Sequence, residues 1–156
     1  RRLLVYGEFT AGGMMTPEPV ILGADDTVAD ALAKVRLKEL TPAVASMVFI
    51  TRPPHDTPSG RYLGAVHVQR LLREPPSLQV GHMTDSDLEP LHPDTHISQV
   101  SRYFATYNLV VAPVVNELHQ LVGAVAVDDL LDHMLPADWR GEQMDGTDQF
   151  PAVSDG

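Results

Sequence analysis

The sequence predicts an α/β (α+β) protein made of two copies of one βαββα unit, related by an approximate two-fold axis. Residues 13–16 (GMMT) recur as residues 81–84 (GHMT), and residues 63–72 recur as residues 122–131. Between these anchors the hydrophobic periodicity changes in the same order in both copies. A unit of about sixty residues buries too little surface to be stable alone, so we expect the two copies to pack together.

The first copy is predicted to begin with an extended segment at 20–22, after which Asp25, Asp26 and Thr27 supply oxygens that cap a helix. Val28, Ala31, Leu32 and Val35 follow with helical spacing. The β-branched segment 47–51 and the segment 62–68 predict two strands. A last helix carries Leu71 and Leu72.

The second copy repeats this order. Its helix is predicted to be capped within 93–95 and to bury Ile97, Val100, Phe104 and Tyr107. Strands are predicted at 110–116 and 121–127, before a last helix with Leu130, Leu131, Met134 and Leu135. The first copy has the longer connection between its strands, the proline-rich segment 52–61, where the second copy has only 117–120.

Composition excludes several classes of function. Eleven basic against 21 acidic residues give a net charge of −10, which argues against nucleic acid or an anionic membrane surface as a partner. It favours cations or a basic protein surface. The chain has no cysteine, which excludes disulfides and thiolate metal sites. No apolar stretch approaches the ~20 residues that span a bilayer, so we expect no direct membrane insertion.

The tandem unit, with Met-Thr before the first strand and Gly-Ala-Val before the last helix, resembles the cystathionine-β-synthase (CBS) domain pair, or Bateman module. Residues 11–17 (AGGMMTP) are similar to the junction before the CBS pair in MgtE-type magnesium transport proteins, as are residues 113–117 and 127–132. The resemblance implies a cytoplasmic regulatory domain that senses Mg²⁺, has no catalytic residue and forms a homodimer. It also implies a preceding helical domain, and either a membrane pore domain or a soluble MgtE-like relative.

The resemblance divides the chain into four parts. Residues 1–13 are expected to be a linker from the preceding helical domain, 14–76 the first CBS repeat and 77–136 the second. Residues 137–156 are expected to form a flexible, disordered acidic tail in which Trp139 is the last apolar anchor. Because the chain opens with two arginines and no initiator methionine, we interpret it as a piece of a longer polypeptide.

Asp128, Asp129 and Asp132 form the best candidate Mg²⁺ site. Mg²⁺ prefers oxygen ligands and keeps several waters. Asp128 and Asp132 lie four residues apart, where like charges on a helix repel until a cation arrives. The alternative is that these residues are favoured at a helix start by the macrodipole. The resemblance places acids at Asp129 and Asp132. Three other positions that are acidic in magnesium-gated relatives are neutral here, and they are His96, Ser98 and Asn108.

An adenine nucleotide is the second, less favoured ligand. CBS pairs that bind adenosine phosphates carry Gly-h-x-Thr/Ser-x-x-Asp, where h is apolar, the hydroxyl meets phosphate and the Asp meets the ribose. In residues 64–70, His67 replaces the hydroxyl residue and Arg70 replaces the Asp. Both side chains suit either a phosphate or an exposed salt bridge. Residues 123–129 have Ala126 but keep Asp129, the implied ribose contact. A purely structural dimerisation module is the third alternative.

The seven histidines predict no zinc site, because no third ligand has suitable spacing beside His92 and His96. Neither a nucleophile elbow nor a phosphate-cradling glycine-rich loop is present, so the sequence predicts no enzyme.

Overall fold

A computed structural model describes residues 6–135, which form two sheets with helices packed on their outer faces. The elements are α1 (Ala11–Met14), β1 (Ile21–Leu22), α2 (Val28–Val35), β2 (Met47–Thr51), β3 (Tyr62–His67), α3 (Val68–Arg73), α4 (Ile97–Tyr107), β4 (Val111–Val115), β5 (Leu121–Ala126) and α5 (Val127–Met134). This order confirms the predicted α/β architecture.

The two sheets share one plan. In the first, β1 pairs parallel to β2, and β2 pairs antiparallel to β3. In the second, β4 pairs antiparallel to β5, and Leu91 takes the place of β1 through a parallel bridge to Val114. The predicted strands 62–68 and 121–127 each ran one residue too far, because Val68 and Val127 already begin the following helices.

Helices α2 and α4 have different kinds of N-terminal cap. In α2, Thr27 Oγ1 accepts from the Asp30 N–H at 3.2 Å, and Asp30 Oδ2 accepts from the Thr27 N–H at 3.0 Å. Hydrogen bonds from Thr27 to the Asp30 carboxylate, from its backbone first and from its side chain second, lower the pKa of Asp30. The cap predicted within 93–95 is wrong, since His96 caps α4. The Thr95 hydroxyl instead accepts from the His92 N–H in the preceding turn.

The core has three parts, one outside each sheet and one between them. Among the residues between the sheets are Ile21, Met47 and Phe49 of the first repeat and Val115 and Leu121 of the second, all at most 4% exposed. Burial of apolar surface contributes about 25 cal/mol per Å². The repeats therefore pack through a shared apolar surface, as predicted.

Each repeat receives a short strand from the other. We call residues 15–16 and 84–85 the lead-in strands. Thr16 exchanges hydrogen bonds of 2.8 and 3.0 Å with Ala124 of the second repeat. Asp85 exchanges hydrogen bonds of 2.9 and 3.1 Å with Ala65 of the first. In both bridges the partner is the alanine of the Gly-Ala-Val segment of the other repeat, so the crossing is reciprocal.

The crossing explains the glycine in the repeated Gly-Ala-Val segment. A Cβ on Gly64 would lie 2.4 Å from Thr84 Cγ2 and 2.7 Å from the Asp85 carbonyl oxygen, and its φ of +153° disfavours other residues. A Cβ on Gly123 would lie 2.7 Å from the Thr16 carbonyl oxygen. Each glycine therefore leaves room for the opposite lead-in strand.

The longer connection of the first repeat adds a further link between the halves. Ser59 is fully buried, and its N–H donates to the Leu121 carbonyl at 3.0 Å. The Leu121 N–H in turn donates to Ser59 Oγ at 3.0 Å. Thr57 Oγ1 donates to the Pro17 carbonyl at 2.7 Å. The extra residues therefore tie the start of β5 to the first repeat.

Some of the predicted parts of the chain extend beyond residues 6–135. The acidic tail 137–156 with Trp139 and the first five residues of the predicted linker lie outside the described residues. The division at residues 14, 77 and 136 stays a prediction. Within 6–135, no helix is both long and apolar enough to cross a membrane.

From the crossing we predict how alanine at either glycine changes the stability of the fold. Gly64→Ala and Gly123→Ala should each lower the free energy of unfolding by about 1–3 kcal/mol, because the new methyl group meets backbone of the opposite lead-in strand. Urea unfolding measures the change. Gly7→Ala is the control, since its Cβ first meets Thr10 Cγ2 at 3.4 Å. Wild-type stability for either variant would show that the crossing is loosely packed.

Candidate functional site

The three predicted acids lie on α5, the helix that follows β5 without a loop. Asp128 and Asp132 are exposed, and Asp129 is half-buried. Leu130, at 3% exposure, fixes the inward face of the helix, so the acids lie beside and opposite that face. Asp128 and Asp129 also occupy the first turn, where the macrodipole favours a negative charge. Both interpretations of these acids therefore stay open.

Within residues 6–135, no group of three or more His, Asp or Glu side chains is placed to hold a metal ion. A Mg²⁺ ion usually takes only one or two carboxylates and fills its remaining positions with water. The arrangement on α5 can therefore offer at most a pair of protein carboxylates without a movement of the helix.

The three neutral positions do not form one cluster. His96 and Ser98 lie together at the start of α4, where His96 Nδ1 accepts from the Ser98 N–H at 3.1 Å. Asn108 ends the same helix with φ 57° and ψ 43°, a left-handed conformation that asparagine tolerates. At 1.5 Å per residue, α4 separates the two ends by roughly 16 Å.

A cavity of about 300 Å³ opens between the repeats, a volume at the lower end for small-molecule sites. Its lining comes from both repeats and comprises Ser46, Met47, His67, Val68, Gln69, Asn108, Leu109 and Val110. We call it the first cleft. It contains both His67, which the sequence offers to a phosphate, and Asn108, at a position that is acidic in magnesium-gated relatives. No local signal in the sequence joins them, because they meet only through the packing of the repeats.

The two copies of the nucleotide signature have different surroundings. Arg70 is not part of the first-cleft lining, and its Nε lies 3.2 Å from Glu74 Oε2, which confirms the salt-bridge alternative. In the second copy, Ala126 precedes α5, and the Val127 N–H donates to the Val110 carbonyl at 2.8 Å. The start of α5 is therefore bonded to a segment that lines the first cleft.

Two further cavities were not predicted. The larger, about 610 Å³, is lined by Tyr6, His92, Pro93, Asp94, Asn116, Glu117 and Leu118. The other, about 320 Å³, is lined by Pro17, Glu18, Pro19, Ile21, His55, Asp56 and Thr57. Neither contains a residue of the predicted metal or nucleotide site.

A tyrosine–histidine pair lies where the strand hairpins of the two repeats meet. Tyr62 is 5% exposed, and its hydroxyl has no partner among the described residues. Its ring centroid lies 5.8 Å from that of His119, which has a φ of +62°. Burial, and then the charge of Arg61, lower the pKa of His119 below its ordinary value.

The chain matches the model of a known family and the sequence of a known protein. The model of the CBS domain family matches residues 80–136. Over 127 residues the chain is 33% identical to the magnesium transporter MgtE of Thermus thermophilus, covering 81% of this chain and 27% of that protein. The chain thus spans about a quarter of the length of this relative.

Solved structures match as well. The cytosolic domain of the Mg²⁺ channel MgtE in complex with ATP has a TM-score of 0.72 and 31% identity, over 82% of this chain and 50% of that one. The soluble part of a magnesium transporter has a TM-score of 0.71 and 21% identity, over 83% of this chain and 48% of that one, and shows the same fold.

From the lowered pKa of His119 we predict how the stability of the fold depends on pH. Because its pKa is lowered in the folded state, the unfolded chain takes up this proton first as pH falls through about 6.5. Its contribution to stability is therefore present above that pH and lost below it. His119→Asn, which suits the positive φ, should show a smaller loss of urea midpoint between pH 7.5 and pH 5 than wild type. Equal losses would contradict the assignment.

Proposed function

The chain belongs to the CBS-domain family as a tandem pair of the MgtE type, and from this premise we propose that it is a non-catalytic regulatory module that responds to Mg²⁺. The observation that carries the proposal is the set of Asp128, Asp129 and Asp132 on one short helix, in a chain 33% identical to a magnesium transporter. The net charge of −10 supports a cation as ligand.

The mechanism follows from electrostatics. Without an ion, Asp128 and Asp132 repel by a few tenths of a kcal/mol. A hydrated Mg²⁺ that binds one or two of the three carboxylates removes this repulsion and allows α5 to move against its neighbours. Because the start of α5 is bonded to Val110, a movement of α5 also changes the seam between the repeats. Coupling of this kind is worth about 1–3 kcal/mol, and its outcome here is closure of the two repeats.

The same proposal covers the setting of the module. The chain would act in the cytoplasm or at the cytosolic face of a membrane, joined to a preceding helical domain. The complete protein would carry either a pore domain or none. Two copies would pair around a two-fold axis, the commonest oligomeric arrangement.

Mg²⁺ binding predicts a stabilisation by mass action. At ten times the dissociation constant, Mg²⁺ should raise the free energy of unfolding by about 1.4 kcal/mol, measured as a rise in melting temperature. Asp129→Asn and Asp132→Asn should reduce the rise because each removes a charged ligand. Asp87→Asn changes an exposed acid between the second lead-in strand and α4, and as the control it should keep the wild-type rise. No rise at tens of millimolar Mg²⁺, with Ca²⁺ as comparator, would contradict Mg²⁺ sensing.

An adenine nucleotide is the second candidate ligand. Two observations favour it, namely the ATP complex of the 31% identical relative and the first cleft with His67, Gln69 and Asn108. Asp129 stays the predicted ribose contact of the second copy of the signature. His67 offers a hydrogen-bonding group to a phosphate in the first cleft.

Calorimetry distinguishes a ligand bound through Asp129 from one bound in the first cleft. If the module binds a nucleotide through Asp129, titration of ATP, AMP or S-adenosylmethionine gives heat that Asp129→Ala abolishes and His67→Ala leaves unchanged. Loss of the heat in His67→Ala instead would place the ligand in the first cleft. No heat with any of the three compounds would contradict the nucleotide function.

A further inference from the structure

The segment that leads into the first repeat is attached to the second. We call residues 6–14 the N-terminal arm. Three backbone hydrogen bonds join it to the entry of α4, from Ala11 N to Thr95 O at 2.8 Å, from Gly12 N to Pro93 O at 2.7 Å and from Ile97 N to Phe9 O at 2.7 Å. Thr10 caps the arm's short helix α1 by accepting from the Gly13 N–H. The arm is thus held by directional bonds, all to the second repeat.

The arm also shares the core of that repeat. Ala11 is fully buried and Met14 is 4% exposed, and both belong to the outer core of the second repeat. Leu130, the inward residue of α5, belongs to the same cluster. α1 packs directly on α5 and β5. Because packed interiors resist small changes in volume, α5 cannot shift without displacing the arm.

A second contact between α5 and the arm lies nearer the solvent. The rings of Phe9 and His133 meet edge to face, with centroids 6.1 Å apart and planes at 89°. His133 is fixed in turn by its Nδ1–H, which donates to the Asp129 carbonyl at 2.9 Å. A path of direct contacts therefore runs from Asp129 through His133 to Phe9.

The internal two-fold relation shows how the N-terminal arm differs from the equivalent segment of the second copy. Its counterpart in the second copy, around Gly81, docks on the first repeat in a similar way. The Gly81 N–H donates to the Ala24 carbonyl at 2.9 Å, and the Val80 N–H to the Asp26 carbonyl at 2.8 Å. That counterpart connects the two repeats to each other. The N-terminal arm instead connects the second repeat to the residues that precede Tyr6.

We propose that the N-terminal arm is the output of the second repeat, so that a shift of α5 is passed through Phe9, Ala11 and Met14 to the polypeptide that precedes Tyr6. The proposal rests on the proposed function for its ligand, Mg²⁺, but not for the coupling itself. The partner it implies is a domain joined to the arm, which follows the second repeat rather than the adjacent first one.

Amide hydrogen exchange of the 156-residue chain tests the coupling without a ligand. Phe9→Ala should raise the exchange rates of the Ala11 and Gly12 amides by about three- to tenfold, as expected for the loss of an edge-to-face pair. Leu72→Ala is the matched control, an exposed apolar residue on α3 of the first repeat, and should leave both amides unchanged. Unchanged amides in Phe9→Ala would overturn the proposal.

Mg²⁺ then tests the direction of transmission. At a concentration that raises the melting temperature, Mg²⁺ should slow exchange in α5 and in the arm of the wild type. In Phe9→Ala the response of α5 should remain, and that of Ala11 and Gly12 should fall to less than half. A wild-type response confined to α5 would overturn the output role. If Mg²⁺ changes neither region while Phe9→Ala still raises the exchange of Ala11 and Gly12, the proposed ligand is wrong and the coupling stands.

Discussion

The reciprocal crossing of the lead-in strands is the constraint on which the rest of the structure depends. Thr16 is bonded to Ala124 and Asp85 to Ala65, so each repeat completes the other. The crossing requires glycine at positions 64 and 123, and it sets the sheets face to face around the central core. The first cleft follows from this arrangement because residues of both copies line it. The docking of the N-terminal arm follows as well, because the chain carries this segment across to the second repeat.

The proposed site and the proposed output share one helix. On α5, Asp128 and Asp132 are exposed, and Leu130 lies in the core that also holds Ala11. A charge placed on the outer face is therefore one helix diameter from the segment that would transmit its effect. Because this distance is short, we expect a shift of α5 to reach the N-terminal arm through direct packing contacts rather than through the first cleft. Packed elements shift between discrete arrangements.

The sequence predicts elements better than it predicts the site. Helical and strand periods are local, so the bounds of β2 were predicted to the residue, and the predicted stripe from Val28 to Val35 lies on α2. His96 as the cap of α4 was missed because histidine is not a usual capping residue. The meeting of His67 with Asn108, and of Phe9 with His133, joins residues far apart in the chain. Such pairs depend on how the copies pack, which no periodicity encodes.

The interlocked topology has a consequence for recombination between relatives. A splice point placed between the two copies, near residue 77, would keep Met14 and Thr16 on the fragment that loses their partners in the second half. A chimaera made there would join an N-terminal arm from one parent to a docking surface from another. Modules of this type are therefore exchanged most safely as whole pairs, together with the N-terminal arm.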